Sequence, residues 1–399
     1  MAASLPAQRQ NKWRPITEGY ALMTALSDFA PLKKDGSRSR TLPGYLYHSP
    51  EVYEREKTLI FDRVWQVVAH QSELANPGDY VTAEIAEEQV FVIRDDDGVL
   101  RAFYNVCQHR AHTLLTGTGN VKNTIVCPYH AWAYTKSGAL KASRYTKTLP
   151  EFDPSAFSLR EIRLEVACGF VFVNQDPDAL TIEQTWPGFI ESVNKHVPWW
   201  SELSFHSRSG SDGHEDHESN WKVLAENCRE CYHCAPSHPA FVDLVDMQSY
   251  TREYHEGWFL NQAPVNRADN AAYTVSPDDP VQKAMFWHLW PNNEIGISPG
   301  EKNFSSFRYY PSGPQTLRMN SINTAVAGIG IGAECSDYMW NVLWPEDEGI
   351  CNAVQKGLKS KGYRQGRFVM DGAAGGESEQ GVHEFQWHYA KVMGLPMEG

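Results

Sequence analysis

The residues best suited to chemistry in this chain lie between Asn220 and Pro239, a stretch that reads Asn-Trp-Lys-Val-Leu-Ala-Glu-Asn-Cys-Arg-Glu-Cys-Tyr-His-Cys-Ala-Pro-Ser-His-Pro. Ser219 or Asn220 can cap a helix, good helix formers follow, and Pro236 can stop it, so the pattern predicts a helix up to Cys234. On that helix Glu226, Glu230 and His233 fall at i, i+4 and i+7 and share one face. His238 follows just past the break, where a turn can bring it beside His233. Two imidazoles and one carboxylate, with other coordination positions open, form the facial arrangement by which non-haem Fe(II) binds dioxygen and substrate together. Two other readings of these residues stay open. Paired histidines near a helix end also serve as caps or packing pairs. Cys228, Cys231 and Cys234 form C-x2-C-x2-C, the opening of a ferredoxin cluster motif, although the fourth cysteine is missing.

A second constellation lies earlier in the chain. Cys107-Gln108-His109 and Cys127-Pro128-Tyr129-His130 form C-x-H and C-x2-H. Two thiolates and two imidazoles would satisfy a tetrahedral zinc ion, but zinc fingers group their cysteines together and their histidines together. Here each segment supplies one of each. That order suits a [2Fe-2S] cluster in which one iron takes both thiolates and the other both imidazoles, which raises its potential and fits it to accept electrons.

The elements that must hold these groups follow from the rest of the chain. Its 399 residues suffice for two domains with their own cores. With 36 basic against 49 acidic residues the net charge is −13, which argues against a nucleic-acid partner. No apolar run approaches a membrane span, and Val166 to Val173 is only strand-sized. The N-terminus has no apolar secretory core, so a cytoplasmic location is expected. Eight cysteines, several clustered with histidine, suggest metal chemistry in a reducing compartment and not a disulfide scaffold. Residues 1–43 read as a polar, loose arm. Ser49-Pro50-Glu51 predicts a capped helix running to about Trp65. Short β segments follow at 79–85, 90–94 and 100–106, with a hairpin turn at Asp95-Asp96-Asp97-Gly98 that lacks the ligand spacing of a calcium loop.

With both constellations in place, the chain resembles the large (alpha) subunit of the Rieske non-haem iron oxygenases. The resemblance runs from about Tyr45 onward. It rests on Cys107-x-His109-Arg110, Cys127-x2-His130 with Trp132, the strand Gly169–Asn174, Asn220-Trp221-Lys222, Glu226-Asn227 and Tyr232-His233-x4-His238-Pro239. It implies an α+β protein with a small all-β Rieske domain at 44–165 and a catalytic domain at 166–399, in which helices cover an antiparallel sheet. It also implies Cys107, His109, Cys127 and His130 as cluster ligands, and His233, His238 and Asp347 as ligands of a mononuclear Fe(II). Asp347 stands in Trp344-Pro345-Glu346-Asp347-Glu348, ahead of a helical stretch at 349–358, and Glu346 and Glu348 remain open as alternatives. Glu230 takes the place of the acidic bridge to a neighbouring subunit's cluster, with Asn227 beside it in the catalytic set and Glu226 as a supporting group.

The resemblance further implies dioxygen as co-substrate and a head-to-tail homotrimer. Because the chain lacks a dinucleotide fingerprint and a ferredoxin pattern of its own, it implies electrons from NAD(P)H through a separate flavin/iron-sulfur reductase. Glu-Cys-Tyr-His-Cys is similar to the members that hydroxylate or N-demethylate small quaternary ammonium compounds such as glycine betaine and carnitine. The rival readings are an aromatic-ring-hydroxylating alpha subunit and a non-catalytic Rieske electron carrier. A quaternary ammonium site calls for aromatic faces. Phe286, Trp287, Trp290 and Tyr309 lie in the stretch expected over the iron, each read first as core. His214-Glu215-Asp216-His217-Glu218 reads as a solvated loop, His112 as a surface or packing residue, and His383 and His388 as packing residues of a C-terminal helix.

Overall fold

The computed structural model describes residues 29–209, 216–370 and 376–399. It is α+β, with two seven-stranded antiparallel sheets. The first runs in the order Gln66–His70, Phe170–Asn174, Glu161–Ala167, Leu100–Tyr104, Glu88–Arg94, Asp79–Ile85, Thr118–Asn120. The predicted hairpin at Asp95–Gly98 forms because Asp95 Oδ1 accepts from the N–H groups of Asp97 (3.0 Å) and Val99 (2.9 Å) while Gly98 takes a φ of 79°. A three-stranded sheet, Ile125–Val126, Ala133–Tyr134 and Leu140–Ala142, carries the second Cys–His segment.

Three sequence expectations change here. A boundary at 165 would cut the Glu161–Ala167 strand; Phe170–Asn174 pairs with it and with Gln66–His70, so the first sheet continues to Asn174. The helix opened by Ser49, whose hydroxyl caps Val52 N–H, ends at Phe61 and not near Trp65, because Gln66–His70 is drawn into the sheet with every residue buried. Residues 1–28 of the arm lie outside the described residues, but the remainder is docked. Leu32–Lys33 pairs in parallel with Met397–Glu398, and Leu32 and Leu42 are buried. Two leucines thus anchor a segment whose average polarity suggested a free arm.

The second sheet, Ser204–Ser209, Thr316–Ala325, Asn303–Gly313, Asn293–Ile297, Lys283–Leu289, Trp258–Pro264 and Thr251–His255, is antiparallel throughout. One face, with Trp287, Ile295, Phe304 and Ile322, packs on Phe170 and Phe172 of the first sheet. Helices Trp221–Asn227, Trp344–Leu358 and Gln380–Met393 lie on the other side. In the last of these His383 Nε2 sits 2.8 Å from Lys33 O and His388 packs on Trp290, the structural roles expected of them. No helix among the described residues is long and apolar enough to cross a membrane.

Candidate active site and metal centres

The two Cys–His segments are copies of one backbone loop. In the first, Cys107 N–H donates to His112 O (2.9 Å) and Ala111 N–H to Cys107 O (3.0 Å). In the second, Cys127 N–H donates to Trp132 O (2.8 Å) and Ala131 N–H to Cys127 O (3.0 Å). Ala111 and Ala131 close the equivalent turns, both at a φ of 56°, in the left-handed region that costs a non-glycine residue about 1 kcal/mol. The loops bury Cys107 and Cys127, each 2% exposed, and leave His109 exposed and His130 half-buried with their rings 4.6 Å apart. Trp132 stacks on His109, and Tyr134 Oη lies 3.2 Å from Cys107 Sγ. Burial raises the Cys127 thiol above its usual pKa, while the N–H groups of Tyr129 and His130 draw it back toward the thiolate. Buried thiols beside outward imidazoles are the donor set that a cluster with one thiolate-bound and one imidazole-bound iron requires.

The helix predicted up to Cys234 stops at Asn227. Glu230 interrupts it, since its Oε2 accepts from the N–H groups of Tyr232 and His233 and so competes with the helical ladder. Arg229, fully buried, turns back to Ala225 O (2.7 Å) and Tyr309 Oη (2.5 Å). The chain resumes as Cys234–Ser237, with Pro236 inside that turn instead of ending a helix, and again as Pro239–Leu244 beyond His238. The common face expected for Glu226, Glu230 and His233 is therefore absent. Glu226 points elsewhere and accepts from Tyr47 Oη (2.5 Å) and Gln386 Nε2 (2.9 Å). Desolvation lifts its pKa to about 7 against those two hydrogen bonds. Cys231 and Cys234 are joined as a disulfide while Cys228 stays a free thiol, so the three sulfurs do not gather as a cluster site.

His233, His238 and Asp347 converge, with one ligand atom from each lying within 4.8 Å of the others. His238 Nε2 is 3.0 Å and His233 Nε2 3.5 Å from Asp347 Oδ1, and the two rings are 5.0 Å apart. Each imidazole is held from behind by a carboxylate: His233 Nδ1 meets Glu230 Oε1 at 2.5 Å and His238 Nδ1 meets Glu346 Oε2 at 2.8 Å. Such partners fix the tautomer and leave both Nε2 atoms to face an ion. Burial alone would lower the His233 pKa, but Asp347 and Glu230 outweigh it and raise the group to about 9. Asp347 stays below its ordinary value because the two imidazoles offset its burial. Asn227 Nδ2 lies 3.4 Å from His233 Nε2.

The three adjacent acids separate because they lie within a helix, not ahead of one: Trp344–Leu358 already includes them. At about 100° per residue, Glu346 reaches His238, Asp347 the triad, and Glu348 the Nδ1 of His217 at 2.6 Å. Pro345 has no N–H to continue the ladder, and the five residues before Trp344 widen into a π turn, Met339–Leu343. His217 is accordingly buried against Glu348 and Trp344, whereas the sequence suggested a solvated loop; His214 and Glu215 lie outside the described residues. His112 is exposed.

A cavity of about 230 Å³ opens beside the triad, between the second sheet and the 333–347 helical run. Of the four aromatics singled out from the sequence, Phe286 alone lines it. Trp287 donates to Ser192 Oγ on the other face, Tyr309 is bonded to Arg229, and Trp290 packs against His388. Sequence reasoning missed Glu346 as the partner of His238. It also missed Trp340 and Trp344 as lining residues, although their spacing back from Asp347, i−7 and i−3, was a usable signal.

Comparison with known proteins gives the family. The Rieske [2Fe-2S] domain family matches residues 64–153, and the ring hydroxylating alpha subunit (catalytic domain) family matches 205–395. The carnitine monooxygenase oxygenase subunit of Acinetobacter baumannii is 37% identical over 352 residues, 87% of this chain and 93% of that protein. The chloroplastic choline monooxygenase of Amaranthus tricolor is 28% identical over 355 residues, 86% of this chain and 76% of that protein. A solved quaternary ammonium Rieske monooxygenase, described in terms of carnitine oxidation and inter-subunit electron transfer, superposes with a TM-score of 0.84 at 34% identity, covering 90% of this chain and 97% of that one. The chain belongs to the Rieske non-haem iron oxygenases. Within that class it is an oxygenase (alpha) subunit, an enzyme with a Rieske cluster and a mononuclear iron that uses dioxygen and electrons drawn from NAD(P)H through a reductase.

Proposed function

We propose that this oxygenase hydroxylates or N-demethylates a small quaternary ammonium compound. In this reading His233, His238 and Asp347 hold the mononuclear iron, and Cys107, His109, Cys127 and His130 hold the cluster. The observation that carries it is the placement of the three converging ligand atoms on the wall of a cavity lined by Phe286, Phe307, Trp340 and Trp344. Aromatic faces stabilise a cation that cannot donate hydrogen bonds, so they orient a trimethylammonium group without competing for polar partners. The relatives that act on carnitine and choline support the same substrate class. When bound, the iron supplies dioxygen activation next to the substrate, and the cluster supplies electrons.

The chain's own residues prepare that chemistry. Glu230 orients His233 and, as the acidic bridge, would accept a hydrogen bond from a cluster histidine of an adjacent subunit. The outward placement of His109 suits that contact and a head-to-tail homotrimer. Asn227 lies beside His233, its Nδ2 3.4 Å from the Nε2 that would face the ion. Glu346 keeps His238 in the tautomer that presents Nε2. The dependence on a separate reductase is compatible with a cytoplasmic setting.

A single turnover tests the assignment. Iron-loaded protein is reduced, freed of reductant, exposed to oxygen with a trimethylammonium panel or an aromatic panel, and its products are identified by mass spectrometry. Formaldehyde or a hydroxylated amine is expected. A diol or phenol from the aromatic panel alone would move the protein to the ring hydroxylases.

A further inference from the structure

Residues 326–332 read Val-Ala-Gly-Ile-Gly-Ile-Gly and join the strand Thr316–Ala325 to the helix Ala333–Tyr338, at the head of the helical wall that carries Trp340, Trp344 and Asp347. Gly328, Gly330 and Gly332 take φ values of 81°, 85° and 84°, a left-handed conformation that glycine adopts without a steric penalty. The two isoleucines set between them differ in surroundings. Ile329 is 58% exposed, whereas Ile331 is half-buried and reaches the wall of the catalytic cavity. The N–H groups of Ile329 and Gly330 turn back on one acceptor, Val326 O, at 3.0 and 3.4 Å, so this stretch is tied through its own turn.

A second pocket, of about 510 Å³, lies against the same segment and is lined by Ile329, His206, Asp337 and Asn341, all of them exposed. It shares three lining residues with the catalytic cavity: Ile331, Ser336 and Trp340. On the helical run Ser336 and Trp340 stand at i and i+4, forming a ridge with Asp337 and Asn341 on its outer flank and Cys335 and Met339 on its inner flank. Asn341 Nδ2 donates to Asp337 Oδ1 at 2.6 Å, which ties the outer pair together. The outer pocket and the cavity of the triad therefore meet back to back across Ile331 and Trp340. These two residues are not equally free to move. Displacing Trp340 would disturb the run that positions Asp347, whereas Ile331 can swing on rotations at Gly330 and Gly332, which glycine makes at low steric cost.

We infer that substrate reaches the triad through this outer pocket, and that Ile331, hinged between Gly330 and Gly332, is the gate that admits it by width. The inference rests on the quaternary ammonium reading only for the choice of probe. Choline and its wider triethyl analogue are mixed with the metal-loaded holoenzyme without oxygen; association and dissociation rates are read by stopped-flow tryptophan fluorescence and Kd by calorimetry. A gate alters entry and exit together and leaves Kd alone, whereas a residue that only lines the cavity alters Kd. Ile331→Ala is expected to speed association and dissociation of the triethyl compound by about tenfold, to speed choline less, and to hold Kd within about threefold. Asn341→Phe narrows the outer pocket from a position that does not line the inner cavity, and is expected to slow association of both compounds by about tenfold with Kd again held. A change in Kd with unchanged association in Ile331→Ala overturns the gate, and unchanged association in Asn341→Phe overturns the route. If neither compound binds the parent, the quaternary ammonium reading fails, and the same rates are read with toluene and the wider tert-butylbenzene, on which the gate stands or falls by itself.

Discussion

The two candidate metal sites of this chain are held by opposite means. Around Cys107 and Cys127 the backbone sets the geometry, through one loop built twice with the same pair of hydrogen bonds and the same left-handed alanine. Around His233 and His238 side chains do so: Glu230 and Glu346 fix the imidazoles, and the third candidate ligand arrives from a helix 109 residues beyond His238. A backbone-held site keeps its ligands together even when a neighbouring side chain changes. A side-chain-held site depends on each carboxylate individually, and its behaviour should be easier to perturb.

The largest expected effect falls on the side-chain-held centre. Glu230→Gln should leave both irons bound, by metal analysis and the cluster's visible spectrum, yet lower coupled turnover by about 10–100-fold. Unchanged turnover would mean that the carboxylate only packs the turn. Glu226→Gln isolates a group next to this centre but not of it. Its carboxyl is raised from 4.5 to about 7, so between those values the folded state holds the extra proton and stability falls as pH rises. The glutamine variant should therefore gain about 1–3 kcal/mol over the parent at pH above 7, with the gain vanishing toward pH 4.5. Thermal unfolding across that range checks it, and a pH-independent difference would refute it. The smallest effect belongs to the backbone-held centre: Ala131→Gly should relieve the positive φ, stabilise by about 0.5–1 kcal/mol and leave the cluster spectrum unchanged. A bleached spectrum would show that the methyl group, and not the loop, supports the cluster.

The same contrast explains what was legible in the sequence. The paired loops that carry Cys107, His109, Cys127 and His130 were legible from spacing, because each Cys–His pair sits in one short loop built on the same two backbone hydrogen bonds. The antiparallel strands were legible from their turns, as at Asp95–Gly98. The helix through Glu230 was not, because good formers from Trp221 to Cys234 conceal the competition that the Glu230 carboxylate introduces at Tyr232 and His233. Nor could Glu346, Asp347 and Glu348 be ranked alone, since their roles depend on a helix starting earlier than expected and on what each side chain meets across the cavity. The docked segment around Leu32 was hidden for the same reason: its strand partner lies at the other end of the chain.

The most direct test of the side-chain-held triad is Asp347→Ala, with iron and acid-labile sulfide measured on the purified protein. The account predicts that the mononuclear iron and oxygenation are lost while sulfide and the cluster spectrum are retained. Full iron content with intact turnover would contradict it, and so would loss of the cluster together with the mononuclear iron.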